Sequence, residues 1–381
     1  MEKDSHIDFL LYSYTKGLHF DPHRPEGIKF TPNDERGLRF VILPIHPEKD
    51  ACGNREGLVC KTSATYSATT EQVLFVDSYN NLNTMLRVAD DIALPFQPDG
   101  KILIGKDGIF KNDFHPRRYL CPADISQLLE RVEDELAAKT DRFLKLLRWR
   151  QGFDALGEVV THRALYWTID DGDYPIAPSD GNPSQEIIIP MMYGIHWDGK
   201  HQTALQELWS ANDHTEPLGH ALAREAATLI SESPRSAILI MTAALETAVK
   251  MHISRIAPDT AWLMENNPAP PIFKVLRDYI PTIHRTRGKE IDFWDNVKPF
   301  IKKAEKLIEI RNKVAHTGKI PHDAGSIQDH LILVSDLLYL LDVLDGHDWA
   351  KDLVSHKLRK TLDWPSPNDG RNLQIIIKSL Y

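Results

Sequence analysis

The sequence predicts an α+β domain over residues 1–204, followed by an all-α domain over residues 205–381 built as a four- to five-helix bundle. Two observations carry this. The first 200 residues hold short apolar runs broken by Gly, Pro and Asp, which is the pattern of strands and turns. From Pro217 onward the apolar residues recur with helical periodicity, and short connections between such helices imply antiparallel neighbours.

In the first domain, residues 37–43 form a compact apolar run closed by Pro44, and residues 72–76 and 101–104 read the same way. Pro98-Asp99-Gly100 makes a turn before the last of these. A helix is expected over residues 81–92. A longer one is expected over 125–150, with Asp124 as its cap, Gln127 in the capping-box position and Gly152 ending it. Leu128, Leu129, Val132, Leu136, Phe143 and Leu147 give it one apolar stripe. Residues 158–169 and 186–190 read as strands, and the Asp-, Gly- and Pro-rich tract over 170–184 as a loop.

In the second domain, helices are expected over residues 218–231, 235–256, 292–315 and 326–344, with a shorter one over 272–280 and a loop over 258–271. Ser233 and Pro234 form a cap and first-turn pair. The helix they start is apolar nearly all round, from Ala237 through Leu239, Met241 and Ala243 to Val249, and so should be the buried centre of the bundle. Phe300, Ala304, Leu307, Ile310 and Val314 should face the core from the helix over 292–315.

The net charge is -9. His201 to Tyr381 carries 22 Lys+Arg against 23 Asp+Glu, so about -8 resides in the first 200 residues. An acidic chain is a poor general binder of nucleic acid, because the phosphate backbone dominates such affinity. Any RNA contact must be local, and a basic stretch from Arg285 to Lys319 offers one. The polar N-terminus and the lack of a long apolar run lead to the expectation of a cytoplasmic protein with no membrane segment. Cys52, Cys60 and Cys121 are odd in number and form no CxxC pair, which fits neither a disulfide framework nor a zinc site. His196 and His201 flank a turn without a ligand set around them, so no metal and no cofactor is expected. Arg148-Trp149-Arg150 and Tyr166-Trp167 are candidates for base stacking; core packing is the alternative.

The chemistry-bearing motif ends the helix over 292–315: Glu309-Ile310-Arg311-Asn312-Lys313-Val314-Ala315-His316-Thr317-Gly318. Asn312 and His316 are four apart and share a helix face. Arg311 is offset by about 140° from His316 in an ideal helix, and its long side chain can sweep back. His316 has the pKa for proton transfer near neutral pH, and Arg311 is a permanent cation whose fork suits phosphate oxygens. An Arg and a His at this spacing occur by chance on the order of twice in such a chain. Arg39 with His46 flanks a strand-like run, and Arg277 with His284 has Pro281 between them, which should break the helix. Only Arg311 to His316 lies on a long amphipathic helix.

This arrangement resembles the R-x4-6-H signature of the HEPN superfamily of ribonuclease and interaction modules, over a region of roughly 150 residues. The resemblance implies a HEPN-like bundle acting as a metal-independent endoribonuclease. Arg311, Asn312 and His316 would be catalytic, with Glu246 reaching the site from the apolar helix. Lys302, Lys303, Lys306 and Lys313 would contact RNA. It also implies a homodimer with one composite site, working in bacterial antiviral defence or abortive infection, with a phage-derived trigger or a partner defence protein. The first domain would then sense infection or recruit substrate. The alternative is a non-catalytic HEPN module that dimerises and scaffolds a partner, with Asn312 and His316 merely capping the helix.

Overall fold

The computed structural model describes residues 5–15, 19–20, 28–33, 37–44, 58–86, 91–92, 102–103, 118, 121–151, 162–169, 177–179, 194–195, 199–211, 215–266 and 271–365. His46, Cys52, His196, the 98–100 turn and the 186–190 strand lie outside these, as does most of the 170–184 loop. The chain divides into two compact units. One comprises Met1–Leu144 and Glu158–Asn212, the other Lys145–Gly157 and Asp213–Tyr381.

The first unit is α+β. In chain order it holds β1 (His6–Thr15), β2 (His19–Phe20), β3 (Ile28–Phe30), β4 (Arg39–Pro44), β5 (Leu58–Ser67), α1 (Thr70–Leu86), β6 (Asp91–Ile92), β7 (Ile102–Leu103), α2 (Ala123–Gln151) up to Leu144, its last turns from Lys145 belonging to the second unit, β8 (His162–Thr168), β9 (Gly194–Ile195) and α3 (Gly199–Ser210). Strands β3-β4-β5-β1-β8 form an antiparallel sheet, with Phe9 opposite Ala64 on one side and Trp167 on the other. Alternation along β1 buries Ile7, Phe9 and Leu11, the period-2 signature of a strand with one covered face. On that face Phe40 stacks on Phe143 of α2, with ring centroids 4.4 Å apart, and meets Trp209 of α3 edge-on at 5.2 Å. Thr62 and Thr140 hydroxyls, both buried, satisfy each other at 2.6 Å.

Three expectations for this unit are corrected. Residues 72–76 are helical, because Thr69 and Gln72 form a capping box that starts α1. The Thr69 N–H donates to Gln72 Oε1 at 3.0 Å, and the Gln72 N–H donates to Thr69 Oγ1 at 3.2 Å. That helix ends at Leu86, and Asp91–Ile92 is a short strand, so the helix expected over 81–92 lies earlier in the chain. Asp124 is not a cap. The Ser126 N–H bonds the Pro122 carbonyl, so α2 starts before Asp124, which takes a first-turn position. The stripe from Leu128 to Leu147 is buried throughout.

The second unit is helical. It contains α4 (Leu218–Leu229), α5 (Pro234–Ile256), a 3-10 turn (Pro258–Thr260), α6 (Ala261–Asn266), α7 (Ile272–Lys274), a π-turn (Val275–Tyr279), α8 (Ile280–Thr286), α9 (Trp294–Thr317), α10 (Ile327–Leu344), a second 3-10 segment (Asp348–Leu353) and α11 (His356–Thr361). One hydrophobic core joins α4, α5, α9 and α10, with α9 contributing Phe300, Ala304, Leu307, Ile310 and Val314. Helices α4 and α5 touch closely at Gly219, where a Cβ would lie 2.9 Å from Ala248 Cβ and 3.1 Å from the Ala244 carbonyl.

Helix α5 buries a broad face rather than its whole circumference. Ala237, Ile238, Met241, Ala244, Leu245 and Val249 are inside, whereas Leu239 and Ala243 are exposed. By length and composition α5 is the one helix among the described residues able to cross a membrane, yet more than half of its most apolar stretch is buried in this core. Nor does Pro281 end the helix before it. The π-turn over Val275–Tyr279 changes the hydrogen-bond register ahead of Pro281. The proline then occupies the first turn of α8, where its missing N–H costs no bond.

Candidate functional site

Helix α9 ends in a left-handed glycine. Gly318 has φ 66° and donates its N–H to the Val314 carbonyl at 2.8 Å. The Thr317 hydroxyl takes up the Lys313 carbonyl at 2.6 Å, and Arg235, from the first turn of α5, donates to the Gly318 carbonyl at 3.1 Å. These three groups finish the helix. Asn312 and His316 take no part in the cap, so the capping reading of these residues is not what the geometry offers. Both are exposed, and among the described residues His316 makes no hydrogen bond or ion pair.

Arg311 sits on the flank of α9 nearest the core and is half-buried. Its guanidinium turns outward and donates from Nη1 to Asn312 Oδ1 at 3.1 Å. This bond carries the guanidinium to Asn312, which shares a helix face with His316. Arg311, Asn312 and His316 gather at one helix end, and Arg235, which the sequence did not single out, adds a second guanidinium two residues beyond His316. Nothing local to Arg235 signals this. It follows Pro234 at a helix start, and only the packing of α5 on α9 brings it here.

Glu246 lies eleven residues past Arg235, about 16 Å along α5. It is half-buried and forms no ion pair or hydrogen bond among the described residues, with Arg311 or otherwise. Lys302, Lys303, Lys306 and Lys313 are all exposed. In a 3.6-residue repeat Lys302, Lys306 and Lys313 share the outward side of α9, while Lys303 lies on the flank opposite His316. Lys303 and Lys306, but not Lys302 or Lys313, line a cavity of about 500 Å³ formed by α4, α9, α10 and the segment leading into α11.

The remaining candidates are structural. Arg277 pairs with its neighbour Asp278, and His284 is buried, its Nε2 3.4 Å from that of His252, whose Nδ1 lies 2.9 Å from Asp345. Burial, followed by the neighbouring His252, holds the His284 pKa below its usual value. The Arg277–His284 pair therefore has a continuous helix but no accessible imidazole. Trp149 is 3% exposed and donates to Asp342 at 2.9 Å, and Arg148 pairs with buried Glu216, which also holds Arg224. In the other unit Trp167 is fully buried. Neither tryptophan is free to stack on a base. Burial pushes the Cys60 thiol up to about 12, which leaves it a poor nucleophile. His201 is buried in α3, and no group of three His, Cys, Asp or Glu gathers among the described residues.

Comparison of the chain with family models, with curated proteins and with solved structures gives no match.

Proposed function

We propose that the second unit is a HEPN-like bundle that cleaves RNA by attack of a 2'-hydroxyl, with Arg311, Asn312 and His316 as its working residues. The observation that carries this reading is the Arg311–Asn312 hydrogen bond beside an exposed, unpartnered His316 at a helix end already capped by other groups. The bonded Arg311–Asn312 pair and the separate, exposed His316 have no part in the cap and are available for substrate.

In this scheme an imidazole accepts the 2'-hydroxyl proton. The oxygen attacks the adjacent phosphorus, and the bond to the 5'-oxygen breaks. A second imidazole, protonated, donates to that leaving oxygen. The products are a 2',3'-cyclic phosphate and a 5'-hydroxyl. Arg311 neutralises charge on the non-bridging oxygens of the phosphorane, and Asn312 fixes the guanidinium that does so. Two imidazoles require two copies of the motif, so the active unit is a homodimer whose two-fold axis brings the α9 ends face to face. Lys302, Lys306 and Lys313 line the approach of the RNA. The end groups test the chemistry. Fragments from total RNA should carry 2',3'-cyclic phosphates and form equally well in EDTA. Linear 3'-hydroxyl ends, or cleavage abolished by EDTA, would overturn the scheme.

A second reading is favoured by one observation. Trp262 is 72% exposed and Leu263 51% exposed on α6, and large exposed apolar side chains mark docking surfaces. In that reading the bundle is a scaffold for a partner, and purified protein leaves RNA intact.

A further inference from the structure

Helix α8 is held to the core of the second unit by two side chains. Ile280 and His284 are its buried residues, while Thr282, Arg285 and Thr286 are exposed. The π-turn ahead of it interrupts the regular hydrogen-bond ladder that would tie it to α7. Gly288, in the left-handed region at φ 72°, turns the chain just after it. A segment with so few buried anchors opens locally at low cost.

One of those anchors carries a titratable ring. His284 packs on His252 of α5, the rings near-parallel with centroids 5.5 Å apart and the two Nε2 atoms 3.4 Å apart. On its other side His252 Nδ1 lies 2.9 Å from Asp345, at the end of α10, and Arg255 donates to the same carboxylate. A carboxylate accepts, so His252 Nδ1 carries a proton. The gap between the two Nε2 atoms then holds one proton, on either ring. A second would set two N–H groups head to head and two positive charges in a buried site. The surroundings add to that penalty. Arg255 comes from α5, and Arg287 and Lys289 from the chain after α8, where the Lys289 N–H bonds the His284 carbonyl at 2.9 Å. Asp345 is the acid that faces the pair among the described residues, and His252 and Arg255 already share it. A metal ion between the imidazoles is the weaker reading, because no third His, Cys, Asp or Glu completes a ligand set among the described residues.

We propose that this imidazole pair is an acid-sensitive latch that fastens α8 to α5 and α10 and lets go when both rings are charged. On release α8 and the π-turn lift from the core and carry Arg285, Arg287 and Lys289 with them. In the fastened form burial, followed by the charge of His252, holds the His284 pKa below its ordinary value of 6.5, to which it returns once α8 is released. The released form therefore takes up the proton more readily. Fastening is complete above the ordinary value and is lost as pH falls towards the lowered one. The latch is separate from the helix end that bears His316 and does not depend on the ribonuclease reading.

The test is hydrogen–deuterium exchange of the full chain, read by mass spectrometry at pH 7.5, 6.5 and 5.5 and corrected for the pH dependence of the intrinsic rate. It compares wild type, His284→Gln, His284→Leu and the surface control His322→Gln, with circular dichroism on each. Glutamine keeps a polar group opposite His252 and leucine keeps an apolar anchor, so either one, if folded, serves. In wild type and His322→Gln, protection over residues 275–286 should fall about tenfold between pH 7.5 and 5.5, the effect of one proton on a group with an ordinary histidine pKa. Protection in α4 and the middle of α10 should hold. In the His284 variants, whose new side chains do not titrate, protection over 275–286 should stay level. Wild-type protection that does not change with pH overturns the proposal, as does an equal fall in a folded His284 variant. A fall spread evenly over the whole second unit is global unfolding and overturns it too. No arm requires RNA to be cut, so failure here and failure of the ribonuclease reading are told apart.

Discussion

Asp336 is a carboxylate held in an environment that disfavours its charge. Burial raises its carboxyl to about 6 even though Ser355 donates to it twice. The unfolded chain releases the same proton near 3.9. Between about pH 4 and 6 the folded form therefore holds a proton that the unfolded form has lost, and stability falls as pH rises through that window. Asp336→Asn keeps an acceptor for the Ser355 N–H and removes the titration. Urea denaturation at pH 4, 5, 6 and 7 should show the variant gaining on wild type by on the order of 2 kcal/mol across the series. Parallel stability curves would show that the carboxylate is solvated in the native state. Residues like Arg311, Asn312 and His316 were legible in the sequence because they lie on one periodic helix. Arg235 was not, because it meets the end of α9 only through tertiary packing, and its segment carries no local signal of that neighbour.

At the scale of elements, the crossing of α4 and α5 rests on a residue with no side chain. In an exposed helix Gly→Ala raises stability by up to about 1 kcal/mol. Gly219→Ala should instead lower it by about 1–3 kcal/mol, since its methyl would meet Ala248, the Ala244 carbonyl and Leu338 at 2.9 to 3.2 Å. Thermal melts of the two proteins check the sign, and a higher melting temperature for the variant would show that the helices give way freely. The long amphipathic helices α2, α5, α9 and α10 were readable to within a few residues, because the apolar period of 3.6 survives over many turns. Short elements were less so. Neither β5, the central strand, nor its neighbour β1 was singled out, although Ile7, Phe9 and Leu11 alternate correctly. Residues 72–76 read as a strand because β-favouring Val and Phe outweighed the Thr69–Gln72 capping box. Pro281 read as a helix breaker because a π-turn, which leaves no mark in the sequence, makes room for it.

For the whole molecule the central matter is how many copies make one site. A single motif per chain, with one imidazole, supplies either the base or the acid but not both. Mixing inactive His316→Ala protein into wild type should lower activity below that of the wild type alone, because each hetero-dimer keeps a single imidazole. Sedimentation of the wild type should give a dimer at the concentrations where it cuts. A monomer with full activity would remove the composite site. The ribonuclease assignment itself rests on His316. The measurement that tests it most directly is the cleavage rate of a defined RNA by wild type and by His316→Ala, with both proteins shown to be equally folded. A metal-free wild type that cuts, together with a variant slower by about 10²- to 10⁴-fold, is the predicted result. Equal rates for the two proteins, or no cleavage by either, would contradict it.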